Sequence, residues 1–416
     1  MTESAAPSPA QLDTAQLSAD FFQRPLAYFG RMREEGPVTP VMLPHGDRVW
    51  MVTRYAEVRA ALADPRLHKE WAGKLTSPDW VPDEVTGYLS VHMLNTDPPN
   101  HTRLRKLVTK AFTARRVAGL RPRVEAITAS LLDAIEARVA AGEVSVDLIE
   151  TFAFPLPVTV ICELLGVPSR DRAQFRQWSN AIVASEGEPG SFRAAGTAMY
   201  HYFTELVAAK RTALTSGTGP ADDMVSALID ARDSGDSLNE RELIAMLFLL
   251  LVAGHETTTN LIASGALALL ANPAELARLR SDPSLLPGAV EELLRYSNPL
   301  NHATDRFTLE PVEIGGVTIP AREWVLCATS SANRDPDRFG DPDRLDVGRD
   351  AGGHVAFGHG IHYCLGAPLA RLEGEVAFGA LFDRFPGLSL AADPATLRWR
   401  PSSLIHGLEA LPVRVG

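Results

Sequence analysis

The chain has 416 residues, 45% of them apolar, and a formal net charge of −11. That is ample for a hydrophobic core, and the length allows one large domain or two to three average ones. The negative balance argues against nucleic-acid binding and against charge-driven attachment to an anionic membrane, and three scattered cysteines, Cys162, Cys327 and Cys364, make no disulfide framework and fit a reducing cytoplasm.

The opening MTESAAPSPAQLDTAQ has no basic region and no apolar region of the signal-peptide kind. Residues 1–18 are expected to be a loose arm, and residues 19–416 a single domain. Phe21–Arg33 reads as a helix. Val38–Leu43 and Val49–Thr53 alternate like paired strands around the turn cluster from Pro44 to Asp47. Tyr55–Ala63 is helical and is stopped by Asp64-Pro65. Residues 68–90 have no clean period and read as a long irregular loop. A helix follows Asp97-Pro-Pro99 as far as Phe112. Further helices are expected over 120–141, over 154–165 with Gly166 closing it, over 171–185 and over 194–215, with a connector at 186–190.

Ser237-Leu-Asn-Glu240 reads as a capping box that starts a helix running to about Ala271. Its apolar run, Leu243–Gly254, is too short to span a bilayer. A helix apolar on nearly all sides belongs at the centre of a fold. Short helices are expected from Pro273 and over 287–296. From Asp305 the texture changes to short strands at 312–314, 317–319 and 324–328, then a Pro/Asp/Arg-rich coil to Gly353. A long helix starts near Pro368, and strands and turns return after Gly387. The fold class expected is mainly α with a small β region.

Three stretches carry chemistry. The first is FGHGIHYCLG, residues 357–366. Its glycines allow tight turns and close approach to something flat. Cys364 lies just ahead of a helix N-terminus, where the dipole favours thiolate. Taken alone, such a cysteine can be a small buried hydrophobe, a ligand of a mononuclear site with His354, His359 and His362, or a thiolate ligand for iron. The second stretch is AGHETT, residues 253–258, a polar break in an apolar helix. A water-bonded kink explains it structurally; a proton relay through Glu256 and Thr257, with Gly254 loosening the helix, explains it functionally. The third is the basic run Arg103, Lys106, Lys110, Arg115 and Arg116, which is either a solvated face or a docking surface.

FGHGIHYCLG followed by APLAR resembles the haem-binding loop of the cytochrome P450 family at every fixed position of that loop. AGHET resembles the family's acid–alcohol motif, and Glu292-Leu-Leu-Arg295 its E-x-x-R motif. The resemblance implies the P450 fold with a long central helix over haem b, and Cys364 as the iron's axial ligand. Propionate ligands at His101, Arg105, Arg306 and His362 follow from it, with Phe357, Ala253 and Gly366 against the ring. Glu256 and Thr257 would deliver protons. Glu292 and Arg295 would lock the coil before the cysteine, with Arg344 as third partner. The activity implied is insertion of one oxygen atom of O2 into a bulky hydrophobic substrate, with electrons from a ferredoxin and its reductase docking on Arg103, Lys106, Arg115 and Arg116.

DPPNHTRLRKLV, LPVTVICELLGVP and LLLVAGHETTTNLI are similar to the actinomycete subgroup that oxidises macrolides and other polyketides; close relatives act on steroids or secosteroids. Substrate lining is expected from the 80–93 loop including Met93, from the 181–195 connector, from Leu249, Val252 and Ala253, and from Asn301, His302, Leu404 and Ile405. A peroxide-driven peroxygenase is disfavoured by the intact acid–alcohol pair, and a non-catalytic haem or ligand carrier is the remaining alternative. No membrane and no nucleic acid is expected as a partner.

Overall fold

In the two N-terminal strands the side chains alternate between two cores, as a pleated strand requires. Val49 and Met51 join Phe21, Phe29 and Val41, while Trp50 and Val52 join Val38, Val58, Leu62 and Val325. The computed structural model describes residues 14–44, 46–70, 89–183, 190–217, 223–233 and 238–415. Residues 80–88 of the expected substrate loop, and residues 184–189 of the expected connector, lie outside those residues.

The chain forms two compact units, each assembled from stretches distant in sequence. The first comprises residues 1–69, 260–364 and 388–411. Its main sheet has six strands in the order Ala15–Gln16, Val38–Met42, Arg48–Val52, Trp324–Cys327, Arg306–Thr308, Leu67–His68. The hairpin is antiparallel with Val38 opposite Val52, and Trp50 lies parallel to Val325. The indole N–H of Trp50 and the guanidinium of Arg48 both donate to Glu323, at 3.1 and 2.7 Å, so this fully buried indole has a polar partner as well as a core. Residues 15–18 are not loose: Ala15 pairs in parallel with Val41, and Leu17 is buried. The apolar side chain at Leu17 holds the segment against the sheet.

The second unit comprises residues 70–259, 365–387 and 412–416. Its frame is the Arg121–Ala140 helix against the Ala367–Arg384 helix, bridged on the outside by Arg384 to Asp133 and Glu136, both at 2.8 Å. Val146–Asp147 pairs antiparallel with Pro412–Arg414. Two short helices, Ala114–Gly119 and Met224–Asp233, were not expected from the sequence. Each is started by a cap, not by apolar periodicity: Thr113 accepts from the Arg116 N–H at 3.2 Å and Asp223 from the Ser226 N–H at 2.9 Å.

The central helix runs unbroken from Glu240 to Leu270. The described capping box is Asn239 with Glu242, which exchange reciprocal 2.9 Å bonds, two residues beyond the expected one. Gly254 does not loosen this helix. A Cβ there would lie 2.9 Å from Cγ1 and Cδ1 of Ile161, so the missing side chain makes room for the Pro155–Leu165 helix. The whole helix is long and apolar enough to cross a membrane by length and composition, unlike the shorter run read from the sequence. However, 72% of its most apolar window is buried inside the protein, as expected of a core helix.

Candidate active site

The cysteine loop lies in the first unit. Gly358 and Gly360 have φ of +73° and +75°, a region that glycine enters without penalty. At Gly360 a side chain is excluded twice over, because a Cβ would come within 2.9 Å of the Leu62 carbonyl and 3.1 Å of the Ala63 Cα. The loop closes on itself through the Cys364 N–H, which donates to the Phe357 carbonyl at 2.9 Å, and the Tyr363 N–H, which donates to Gly360 at 3.1 Å. Cys364 is exposed while Cys162 and Cys327 are buried. The mononuclear alternative fails: no group of three or more His, Cys, Asp or Glu able to hold a metal ion occurs among the described residues. His354 instead bonds to Glu291 at 3.2 Å.

A buried ion pair supports this loop. Arg295 meets Glu292 with two bonds of 2.7 and 2.9 Å, both side chains being fully buried. Arg295 also donates to the carbonyls of Asn333 and Pro342, each at 2.8 Å. The Asn333 side chain accepts from the Val355 N–H at 2.8 Å, two residues ahead of Phe357. The third partner of Glu292 is Arg349, at 3.2 Å. Arg344 is largely exposed and pairs with Asp346 at 3.1 Å. The sequence misassigned it because both arginines occupy the same aperiodic coil, where spacing carries no facing information.

Arg306 is buried, and its guanidinium reaches only two backbone carbonyls, of Thr304 at 3.3 Å and Leu62 at 3.4 Å. No carboxylate pairs with it among the described residues, and a buried cation without an anion is strongly unfavourable. An exposed thiol in a glycine-shaped loop and a buried guanidinium calling for an anion fit an iron porphyrin with its propionates. In the same unit the Asn301 N–H donates to Leu404 at 2.8 Å, and Ile405 bridges to Leu300. Asn301, Leu404 and Ile405 thus lie together. The 400–407 segment that carries two of them is tied by Arg400 to Asn260 at 3.0 Å, a contact no motif announced. His302 is buried, with Nδ1 2.8 Å from the Ala303 carbonyl.

In the second unit, His101 and Arg105 share the Asn100–Ala111 helix. His101 is held below its usual pKa, first by burial and then by the charge of Arg105, against the opposing pull of Asp97. Arg103 departs from its expected role in docking: it forms an ion pair with the nearly buried Glu242 of the capping box, so part of the basic run is structural. Lys106 and Arg115 are exposed and Arg116 half-buried.

On the central helix Ala253 is exposed, and Val252 and Thr257 are half-buried, whereas His255 and Glu256 are buried. The helix opens there along one stripe, and Met93 and Leu249 are buried at 8% exposure each. The Thr257 hydroxyl donates to the Ala253 carbonyl at 2.9 Å. This is the back-bond of the structural reading, and it leaves the oxygen's lone pairs as acceptors. Sequence reasoning missed Glu373 on the Ala367–Arg384 helix. It is 1% exposed, lies beside Thr258 of the central helix, and neither carboxyl oxygen has a hydrogen-bond partner. Burial pushes its pKa up to about 8, against a smaller opposing effect of Thr258. The only signal available was an acid on the apolar face of a helix.

Together these features define a haem-dependent oxygenase. The family model for Cytochrome P450 matches residues 190–394. The chain is 54% identical over 399 residues to Cytochrome P450 107B1 of Saccharopolyspora erythraea, covering 93% of this chain and 94% of that one. It is 47% identical over 397 residues to the 6-deoxyerythronolide B hydroxylase of the same organism, covering 93% and 95%. Among solved structures, the tirandamycin C-bound P450 monooxygenase TamI has 49% identity and a TM-score of 0.88, covering 97% of this chain and 100% of that one. The chain belongs to the cytochrome P450 family. It is a haem-thiolate monooxygenase, with haem b held by a cysteine thiolate, that uses O2 on a hydrophobic small molecule.

Two predictions follow from the geometry. Arg349→Ala should lower the denaturation midpoint clearly, because it strips a partner from a buried carboxylate, whereas Arg344→Ala should stay within about 0.5 kcal/mol of wild type. Chemical denaturation of both variants decides this, and equal losses would restore Arg344 to the triad. Glu373 is neutral in the folded protein up to about pH 8 but ionises near 4.5 when unfolded. Its contribution to stability is therefore fully present below the unfolded value and is lost as pH rises toward 8. Glu373→Gln should flatten that fall in thermal scans between those limits, and an unchanged slope would contradict it.

Proposed function

We propose that this protein oxidises a macrolide or another bulky polyketide by hydroxylation or epoxidation. The observation that carries the reading is the stripe of Val252, Ala253 and Thr257, which opens an otherwise buried helix beside an acid and a hydroxyl. An apolar wall with a few polar groups suits a large hydrophobic ligand. Relatives that hydroxylate 6-deoxyerythronolide B or bind tirandamycin C support the substrate class. Met93, Leu249, Val252, Ala253, Asn301, His302, Leu404 and Ile405 would line the substrate site. Residues 19–416 would act as one catalytic domain in the cytoplasm.

Bound haem supplies oxygen activation, with the thiolate favouring O–O cleavage. Cys364 is the ligand we assign, since it is the exposed cysteine and sits in the glycine loop. Arg306, His362, His101 and Arg105 would hold the propionates, Arg306 as a buried cation. Phe357, Ala253 and Gly366 would pack against the ring. Thr257 would accept and pass a proton at its hydroxyl oxygen, and Glu256 would replace that proton. Electrons would arrive from a ferredoxin and its reductase, docking on Lys106, Arg115 and Arg116, while Arg103 holds Glu242.

Three measurements test this. Titrating the ferric protein with macrolides, other polyketides and steroids should shift the haem spectrum tightly with a polyketide; a shift with steroids alone would move the substrate class. Thr257→Ala should retain haem and substrate binding but divert most reducing equivalents to peroxide, and unchanged coupling would remove Thr257 from the relay. Arg116→Glu should weaken ferredoxin-driven turnover roughly tenfold, a loss that excess substrate does not relieve, if charge guides docking; full activity with ferredoxin would place the docking face elsewhere. Peroxide-driven turnover serves as its control and should be unaffected.

A further inference from the structure

The segment that carries Leu404 and Ile405 is a hairpin of residues 398–409. The Glu409 N–H donates to the Arg398 carbonyl at 2.9 Å and the Arg400 N–H to the Gly407 carbonyl at 2.8 Å, with Trp399 opposite Leu408. A two-stranded ribbon is only marginally stable on its own, so its surroundings set its position. Backbone ties hold both edges. Trp399 forms a non-hydrogen-bonded pair with Leu408, so its own N–H and carbonyl point outward. The Gln23 carboxamide takes both, at 3.0 and 2.8 Å. On the other edge the Asn301 N–H donates to the Leu404 carbonyl and the His406 N–H to the Pro299 carbonyl, each at 2.8 Å. These bonds lie in the plane of the ribbon and do little to fix its tilt.

We propose that Arg400 is a positioning residue for substrate selection: clamped to Asn260, it sets the tilt of the hairpin and so the depth at which Leu404 and Ile405 meet the substrate. This rests on the lining role given to those two residues above. Successive side chains on a strand point to opposite faces. Trp399 uses one face, where its ring stacks on His406 at 4.0 Å and 15°. Arg400 uses the other, where its Nη2 donates to Oδ1 of Asn260 at 3.0 Å. Asn260 is 1% exposed and lies on the part of the central helix that belongs to this unit. The guanidinium makes the bond charge-assisted, and a buried acceptor loses it only at a cost. Gly407 is what lets the two meet. A Cβ there would overlap Oδ1 of Asn260 and lie 2.8 Å from Nη2 of Arg400, in the space the bond occupies. At the tip Ile405 is buried and Leu404 half-buried, so a small tilt changes what Leu404 presents.

The test measures how the ferric, haem-loaded enzyme binds two azoles, imidazole and 1-tritylimidazole, through their shift of the haem spectrum. Both bind iron through a ring nitrogen, but only the bulky one reaches the walls of the site. Arg400→Met keeps the apolar stem and removes the donor, while Gly407→Ala obstructs the bond from the facing strand. Each should weaken 1-tritylimidazole binding about tenfold and leave imidazole within about twofold of wild type. The double variant should lose little more than either single one, since both break one bond. A shift of both azoles alike would mark a purely structural role and overturn the proposal, as would losses that multiply in the double variant. Leu404→Ala separates this from the lining role. If it weakens 1-tritylimidazole binding while Arg400→Met does not, Arg400 has no part in selection and the lining stands. If Leu404→Ala changes nothing, the lining reading itself fails and the proposal falls with it.

Discussion

The buried pair of Glu292 and Arg295 is the constraint on which the cysteine loop depends. Two charges removed from water are unfavourable unless every lone pair and N–H finds a partner. Here most of them do: Arg295 places two N–H groups on Glu292 and two on the carbonyls of Asn333 and Pro342, and Glu292 takes Arg349 and the Asp346 N–H as well as Arg295. That requirement gives an aperiodic coil a definite shape. The shape is passed on through the Asn333 side chain to the Val355 N–H, and from there to a loop in which Gly358 and Gly360 take left-handed backbone. A thiolate ligand needs a fixed direction, and a coil without helix or strand hydrogen bonds can provide one only through such a brace.

Much of this was legible in the sequence where a local rule acts alone. Tyr55–Ala63, Val312–Ile314 and Val317–Ile319 fall where periodicity and Gly/Pro punctuation put them. The tight turns of the cysteine loop were legible from its glycines, and its role from its resemblance to the P450 haem loop. The failures occur where a distant contact decides. Arg349 and Arg344 are indistinguishable until the coil is folded around Glu292. Gly254 looked like a hinge but is a contact point for Ile161. Arg103 looked like part of a docking face but is held by Glu242. Glu373 gave no signal, since a lone acid on a helix is ordinary until its burial is known.

The central helix shows how burial and chemistry are reconciled. Most of its length is packed on all sides, which suits its apolar sequence. At Val252–Thr257 it presents an open stripe that includes Thr257, whose hydroxyl bonds to Ala253 within the helix, while the buried His255 bonds to Leu251. These local bonds let hydroxyl and imidazole sit in an apolar rod without leaving a donor unsatisfied. The Thr257 oxygen keeps its lone pairs as acceptors. The neutral Glu373 beneath Thr258 follows the same economy, since burial there selects the uncharged form.

The account stands or falls on sulfur ligation by Cys364, and the reduced carbon-monoxide spectrum of the purified holoenzyme tests it most directly. The structure predicts the red-shifted Soret band of a thiolate-ligated haem, lost in Cys364→Ala while the fold, followed by circular dichroism, is retained. A wild-type spectrum of the imidazole-ligated type, or a thiolate band that survives in Cys364→Ala, would contradict it.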